Sequence, residues 1–557
     1  MPESEEPAVT RRGRSAAVVL GFSGLTIAMI WPLLDPRAHG LPDLDDAYFS
    51  VWRLAWFAHQ LPLDPRQLFD ANIFHPVSGA LAFSDAMLMV AAFGSPLIWL
   101  GVTPALTHNI LLGAALVSSM WFAFLLVREL TQSTRAAWLS GIIFGLAPYR
   151  VAHLGHLELQ WVMWMPMSLW LLHRFVAVPT GRRALAIGAA VASQALCSIY
   201  YGVFLSLYLG AAWLTLFSLH ATTRRRMAVL TPLAIVPLLA VLLVYGPPYS
   251  QTRAEQGARD LSEMAEYSAT PADFLRVPPS NLLRGTPDSG PAPEERSLYP
   301  GLVAILLAVS AFPPPVPRLA WVYLGLTAFS VDAALGVNGV LFSALHQVVP
   351  LLSSFRSFAR FGVLVLLSLS VLAGYGAANI FRARPRYATV IAVMATVLCV
   401  VEYWSAPVRV RVDQSQPTEA HQWLADQPPG TVIVELPMPR GEALWLYETT
   451  YQLRSMHHWQ RLVNGYSGFA PQQYRQTLEA IRAFPDPPSI QRLRELTVRF
   501  VLINRAYYAE EEFNSLVTRV MASPAFWPPQ PFGPANDQIL IVELKATDER
   551  RLDTGHR

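Results

Sequence analysis

Three aspartates, Asp43, Asp45 and Asp46, sit in the run Pro42-Asp-Leu-Asp-Asp-Ala-Tyr48, directly after the first membrane-length apolar segment, 16–34. Carboxylates beside a bilayer are costly to keep unless they have a task, and one placed there can act as a general base toward a lipid-borne substrate. Asp46 precedes the segment 47–61, in which Val51, Leu54, Ala55 and Ala58 make one apolar face while Tyr48, Trp52 and Trp56 suit a membrane interface. The plainer reading makes Asp46 the N-cap of that helix, and capping is compatible with catalysis. Asp43 and Asp45 read as solvated loop carboxylates, although two adjacent acids raise each other's proton affinity and can leave one poised as a base. The catalytic candidates are therefore Asp46 first and Asp45 second.

Two further groups carry the types needed to hold a phosphate. In Pro148-Tyr-Arg-Val-Ala-His-Leu-Gly-His-Leu-Glu158, His153 and His156 are three apart and would share a helix face. They could hydrogen-bond a phosphate, or His156 with Glu158 could ligate a divalent ion; equally, they could be satisfied interfacial residues. In Phe355-Arg-Ser-Phe-Ala-Arg-Phe361, a helix over 352–361 would put Arg356 and Arg360 at i and i+4, ready to clasp a lipid phosphate or to snorkel as anchors. Arg53, Arg150 and Arg253 are the reserve cations. Arg253 and Arg259 stand among Glu255, Asp260, Glu263 and Glu266, where local salt bridges are the simple expectation. For the acceptor or sugar, Tyr48, His75, Trp459 and Tyr466 are the candidates; the last two lie in the polar, aromatic stretch 457–468, whose Asn-Gly and Ser-Gly pairs also mark turns.

The elements that must position these groups follow from composition. Of 557 residues, 53% are hydrophobic and 15% charged, with 16 Trp and 27 Phe, which is the profile of a polytopic helical membrane protein. A formal charge of +3 without basic runs interleaved with aromatics excludes nucleic acid as the partner. Cys197 and Cys399 lie in apolar stretches and read as buried small hydrophobes. Arginines recur between apolar segments at 11, 12 and 14, 128 and 135, 182 and 183, 224–226, 318, and 382, 384 and 386. If all are cytoplasmic, an even number of spans separates each cluster from the next. That condition splits 184–219 into two spans turning near Ser198, and makes 86–100 an apolar helix that does not cross.

The expected spans are then 16–34, 106–127, 136–148, 161–177, 184–199, 203–219, 227–246, 299–312, 319–335, 361–380 and 387–404. These eleven helices form a transmembrane domain, 1–404, with outer loops at 35–105 and 247–298. The tail 405–557 reads as a small extracytoplasmic α/β domain, with strands near 431–436, 498–503 and 538–542 and a helix over 472–484. The N-terminus is expected inside, with the arginine clusters on the cytoplasmic side of the membrane.

These residues together resemble the GT-C superfamily of membrane glycosyltransferases, which includes protein O-mannosyltransferases and aminoarabinose transferases. In that superfamily the first outer loop carries a catalytic Asp followed by juxtamembrane helices, and a second acidic motif ends the third span. Asp45-Asp46 and the stretch from His153 to Glu158 occupy the corresponding places. A bacterial group of this class is similar over nearly the whole chain, through the segments 46–56, 68–76, 148–160, 298–301 and 359–362, and implies Asp46 as the single conserved-type aspartate. The resemblance implies a polyprenyl-phosphate-linked sugar as donor, a glycan, lipid or protein outside the cell as acceptor, and inversion at the anomeric carbon. Histidines stand where the better-known enzymes have an acidic pair, which leaves a divalent metal cofactor open. Two other classes stay open beside it. A lipid or polysaccharide transporter would want ionisable residues within spans, and Asp332 and Glu402 are the main ones. A non-catalytic membrane scaffold would use the tail as an interaction module.

Overall fold

The computed structural model describes residues 8–35, 40–43, 45–285, 294–406, 408, 410–412, 416–439 and 445–546. Leu44 of the aspartate run, the side chains of Arg11, Arg12 and Arg14, and 286–293 of the second expected outer loop lie outside the described residues. The chain divides into two compact units, 1–43 with 85–412, and 44–84 with 413–557. This differs from the expected boundary at 404/405. The first-loop segment 44–84 belongs with the tail, because its backbone and aromatic side chains pack there.

The first unit is helical, and seven of its helices are long and apolar enough to cross a membrane: Ser15–Leu34, Pro104–Thr131, Ile199–Leu219, Arg224–Gln256, Arg318–Asn338, Phe358–Ala383 and Pro385–Tyr403. It is a multi-pass membrane unit. Four other expected spans are shorter helices, Thr134–Leu146, Trp164–Ala177, Gly181–Cys197 and Leu302–Val309. Polar caps explain where they break: the Thr103, Ser133, Thr180 and Ser198 hydroxyls accept from backbone N–H groups three residues on and open the helices that follow. Ser198 thus separates Gly181–Cys197 from Ile199–Leu219, where the sequence demanded a turn. The apolar stretch after Asp85 forms Leu88–Trp99, 12 residues, which rises only about 18 Å against a hydrocarbon core of about 30 Å.

The centre of this unit is Gly362–Ala383: the apolar stretch containing it is 94% buried, against 6% for Arg224–Gln256, although both are strongly apolar. Gly376 is what lets the central helix approach Leu302–Val309, since a Cβ there would strike the Leu307 carbonyl. The two ionisable groups expected within spans serve as caps. Asp332 accepts from the Val340 and Leu341 N–H groups, both at 2.8 Å, and Glu402 accepts from Leu302 N–H and the Tyr299 hydroxyl, both at 2.6 Å. A short antiparallel pair, β1 (Gly40–Leu41) with β2 (Arg411–Val412), completes the unit.

The second unit is α/β. β3 (Val432–Leu436) lies between β4 (Arg461–Leu462) and β5 (Phe500–Asn504), parallel to both. β7 (Ile539–Glu543) runs antiparallel to β5 and to the edge strand β6 (Gln530–Phe532), giving the order β4-β3-β5-β7-β6. The three strands legible in the sequence are β3, β5 and β7, the longest runs and buried along all or nearly all of their length. The free edge of β4 is covered by the first-loop segment: His75 N–H donates to Leu462 O at 2.9 Å, Leu462 N–H to Asn72 O at 2.8 Å, and Phe74 N–H to Asn464 O at 3.0 Å.

Candidate active site

In the second unit, helix Asp46–Leu63 carries the aspartate pair. Asp45, not Asp46, holds the N-cap position and makes no side-chain capping bond; Asp46 is the first helical residue. Its carboxylate therefore does not serve as the cap, and Oδ1 instead accepts a hydrogen bond from the Tyr466 hydroxyl at 3.2 Å. Tyr466 is fixed at three points. Its backbone N–H donates to Gln452 Oε1 at 2.9 Å, its ring meets Phe49 edge-on with centroids 5.6 Å apart, and its hydroxyl reaches Asp46. Just before it, Gly465 N–H and Asn464 Nδ2 donate to Glu448 on helix Trp445–Arg454, four residues ahead of Gln452. The turn that presents Tyr466 is thus bolted to one helix by two side chains.

The aromatic face of Asp46–Leu63 is not an interface belt. Tyr48, Trp52 and Trp56 are all at most 5% exposed. Trp56 donates through Nε1 to Leu68 O at 2.8 Å, and Trp459 stacks on His59 at 4.3 Å beside it. Burial of an aromatic face against a protein partner replaces burial in headgroups. His75 is half-buried, and desolvation, then Arg461, lowers its pKa, so its ring is neutral near neutral pH. Arg53 is buried over the Phe49 ring at 4.2 Å and donates to Ser50.

In the first unit, the segment from Pro148 is not one helix. Pro148–Ala152 and Leu157–Gln160 are separate short helices, so His153 and His156 stand at the end of one and the start of the next, with ring centroids 5.9 Å apart. Gly155 makes the turn between them, and Asp43 packs against it closely enough that a Cβ would meet Oδ2 at 3.1 Å. Asp43 is partly buried there and is not a solvated loop residue.

The stretch 352–361 is not a continuous helix either: two 3₁₀ turns, Pro350–Ser354 and Phe358–Phe361, flank an extended Phe355. Arg356 and Arg360 therefore do not share a helix face, yet both guanidinium groups turn inward. Arg360 Nε donates to Glu295 Oε1 at 2.8 Å and lies 5.0 Å from the Tyr200 ring centroid. Arg356 pairs with Glu263 at 3.3 Å over the Tyr267 ring. They are paired cations and not lipid anchors. Arg259 pairs with the same Glu263, as the loop charges led one to expect, whereas Arg253 donates to Pro350 O and Ser353 Oγ.

Glu295 links Arg360 to His153, whose Nε2 lies 3.3 Å from Oε2 while Nδ1 meets Tyr149 O at 2.9 Å. Burial pushes the Glu295 carboxyl up, but Arg360 and His153 outweigh it and hold it well below the usual carboxylate range. Sequence reasoning missed this residue because Glu294-Glu295-Arg296 looks like any solvated loop charge run. It also missed Asp85, which accepts from Ser198 Oγ and Ile199 N–H, both at 2.7 Å, and whose pKa is raised by burial and then by Glu158. A Ser-Asp pair ahead of an apolar run was the available signal.

Arg150, held in reserve, stands apart from the other cations. It is 1% exposed and donates through Nη2 to Gln160 O at 2.8 Å, while among the described residues Nε and Nη1 have no partner and no carboxylate pairs with it. Burial lowers its pKa to about 10, with Tyr201 and Tyr149 opposing the shift. An uncompensated buried guanidinium favours an anion beside it. Among the described residues no three His, Cys, Asp or Glu side chains converge as a metal ion needs, so His156 and Glu158 form no such group.

Among solved structures, the chain is similar to the archaeal oligosaccharyltransferase AglB from Archaeoglobus fulgidus in complex with an inhibitory peptide and a dolichol-phosphate. That match has a TM-score of 0.47 and 11% identity over 95% of this chain and 74% of that one. ArnT from Cupriavidus metallidurans in the apo state gives 0.49 and 12%, over 96% and 98%. No curated protein matches the sequence. Over residues 18–403 the chain matches, and belongs to, the family described as Domain of unknown function (DUF6311).

Proposed function

We propose that this protein is a GT-C-type membrane glycosyltransferase that moves a sugar from a polyprenyl-phosphate donor to an acceptor outside the cytoplasmic membrane, with inversion. In this reading all eleven predicted segments cross the bilayer, Leu88–Trp99 lies at its outer face, the N-terminus is inside and the 413–557 region outside. The Asp46 carboxylate takes the proton from the acceptor hydroxyl as its oxygen bonds to the anomeric carbon. The bond from that carbon to the phosphate oxygen breaks, and polyprenyl phosphate leaves with the electron pair. Cations stabilise the departing charge: Arg356 and Arg360, aided by His153 and His156, and Arg150, which no carboxylate among the described residues neutralises. Tyr48, His75, Trp459 and Tyr466 shape the acceptor or sugar subsite. No step is assigned to a metal ion.

The observation that supports this reading most is the Tyr466–Asp46 hydrogen bond. It fixes the orientation of a first-loop carboxylate that does not occupy the N-cap position of its helix. The test is transfer from a radiolabelled polyprenyl-phosphate sugar by the purified full chain. Asp46→Asn should lower turnover about 10²-fold or more with unchanged folding, as loss of a general base does. Retained turnover in Asp46→Asn with loss in Asp45→Asn would move the role to Asp45. Retention in both would leave a scaffold as the better reading.

A further inference from the structure

Away from the aspartates and histidines, the first unit has an apolar groove of about 240 Å³ between helices Trp164–Ala177, Gly181–Cys197, Ile199–Leu219 and Ile235–Gln256. Its walls are Leu172, Phe175, Val191, Trp213 and Leu238. Its floor is made by small residues. A Cβ at Gly188 would strike the Ala234 carbonyl, which brings those two backbones together, whereas a Cβ at Gly210 would meet nothing within 4 Å. The groove is therefore open at Gly210 and closed at Gly188.

On Trp164–Ala177, Gly181–Cys197 and Ile235–Gln256 the lining lies toward the end where arginines gather, and on Ile199–Leu219 it lies near the middle. Arg183 donates to the Arg174 and Val178 carbonyls, and Arg224 to those of Phe217 and Ser218, so both are used in capping helix C-termini. Arg174 pairs with Glu129. Arg182, Arg225 and Arg226 remain, exposed and without a carboxylate partner among the described residues. Arg182 is two residues before the groove residue Ala184, and Arg226 five before Thr231, about 8 Å of helical rise. Hydrocarbon-lined space beside three unpaired cations is complementary to an anionic lipid: an acyl chain in the groove, a phosphate at its arginine end.

We propose that this groove is a binding site for an anionic diacyl phospholipid, held by one acyl chain between the helices and by its phosphate at Arg182, Arg225 and Arg226. The site is independent of the transfer reaction. It stabilises the unit where Arg224–Gln256, only 6% buried along its apolar stretch, has few protein neighbours.

The experiment follows thermal unfolding and native mass spectrometry of the full chain in detergent, with added phosphatidylglycerol or phosphatidylcholine. At about 100-fold excess over Kd, phosphatidylglycerol should raise the unfolding midpoint by roughly 2–3 °C and stay bound in the gas phase, and phosphatidylcholine should do neither. Arg182→Gln/Arg225→Gln/Arg226→Gln should abolish the difference between the lipids. Gly210→Leu, which fills the open floor without a backbone clash, should abolish the shift with all arginines present. Equal shifts from both lipids, or a full shift retained in Gly210→Leu, would overturn the site and leave only general attraction of basic residues for anionic surfaces. A polyprenyl phosphate acting more strongly through the same variants would overturn the assignment of the occupant.

Discussion

Glu295 in the membrane unit and Glu448 in the α/β unit are both buried glutamates, yet they are held in opposite ways. Glu295 faces Arg360 and His153, and the Arg360 charge together with the His153 contact keeps it ionised against the cost of burial. Glu448 accepts from the neutral donors Asn464 Nδ2 and Gly465 N–H, and desolvation, with Glu435 adding to it, pushes it up to about 8. The lesson is that depth of burial does not set the charge of a buried acid; a cation in contact does. The signs of their pH dependence differ accordingly. Glu295, lowered in the folded state, contributes stability above the ordinary carboxylate range that is lost as pH falls. Glu448, raised in the folded state, contributes stability at acid pH that is lost as pH rises from about 4.5 to about 8.

The largest effect should come from removing the first-loop segment that supports the Glu448 network. Phe74 donates to Asn464 O while Asn464 donates to Glu448, so residues 405–557 expressed without 44–84 should lack a cooperative unfolding transition. A sharp urea transition in that fragment would show that Glu448 keeps its neutral setting without the first loop. Next, Arg360→Gln should destabilise the full chain by about 3–5 kcal/mol, because it strands a buried carboxylate, and adding Glu295→Gln should recover much of that loss. Chemical denaturation of the single and double variants measures this, and additive losses would mean that the pair is not coupled. The smallest effect is a slope. Between pH 5 and 8 the Glu448 carboxyl should make stability fall by up to about 1.4 kcal/mol per pH unit, and Glu448→Gln should flatten that component. An unchanged slope in the variant would place the proton on another group.

The arginines show how far sequence could be followed. Arg356 and Arg360 were identifiable as cations on an aromatic background, and both are used inside the protein. The helix expected over 352–361 is interrupted at the extended Phe355, and periodicity cannot report a break made by tertiary packing. Glu295 and Glu263, their partners, are 65 and 93 residues away and have no local pattern. His153 and His156 were legible as a pair, but the packing of Asp43, more than a hundred residues earlier, against Gly155 between them was not.

By itself the sequence determined the helical membrane class, the break at Ser198 and the strands β3, β5 and β7. These depend on local signals: hydropathy, polar caps, and runs of β-branched residues. Only the tertiary structure decided that 44–84 belongs to the α/β unit, that Tyr48, Trp52 and Trp56 face protein, that Asp46 is held by Tyr466, and which arginines are neutralised. Each of these is a contact between residues far apart in the chain. An apolar helix reads the same whether its neighbour is lipid or another helix, and a charge reads the same whether or not a counter-charge folds beside it.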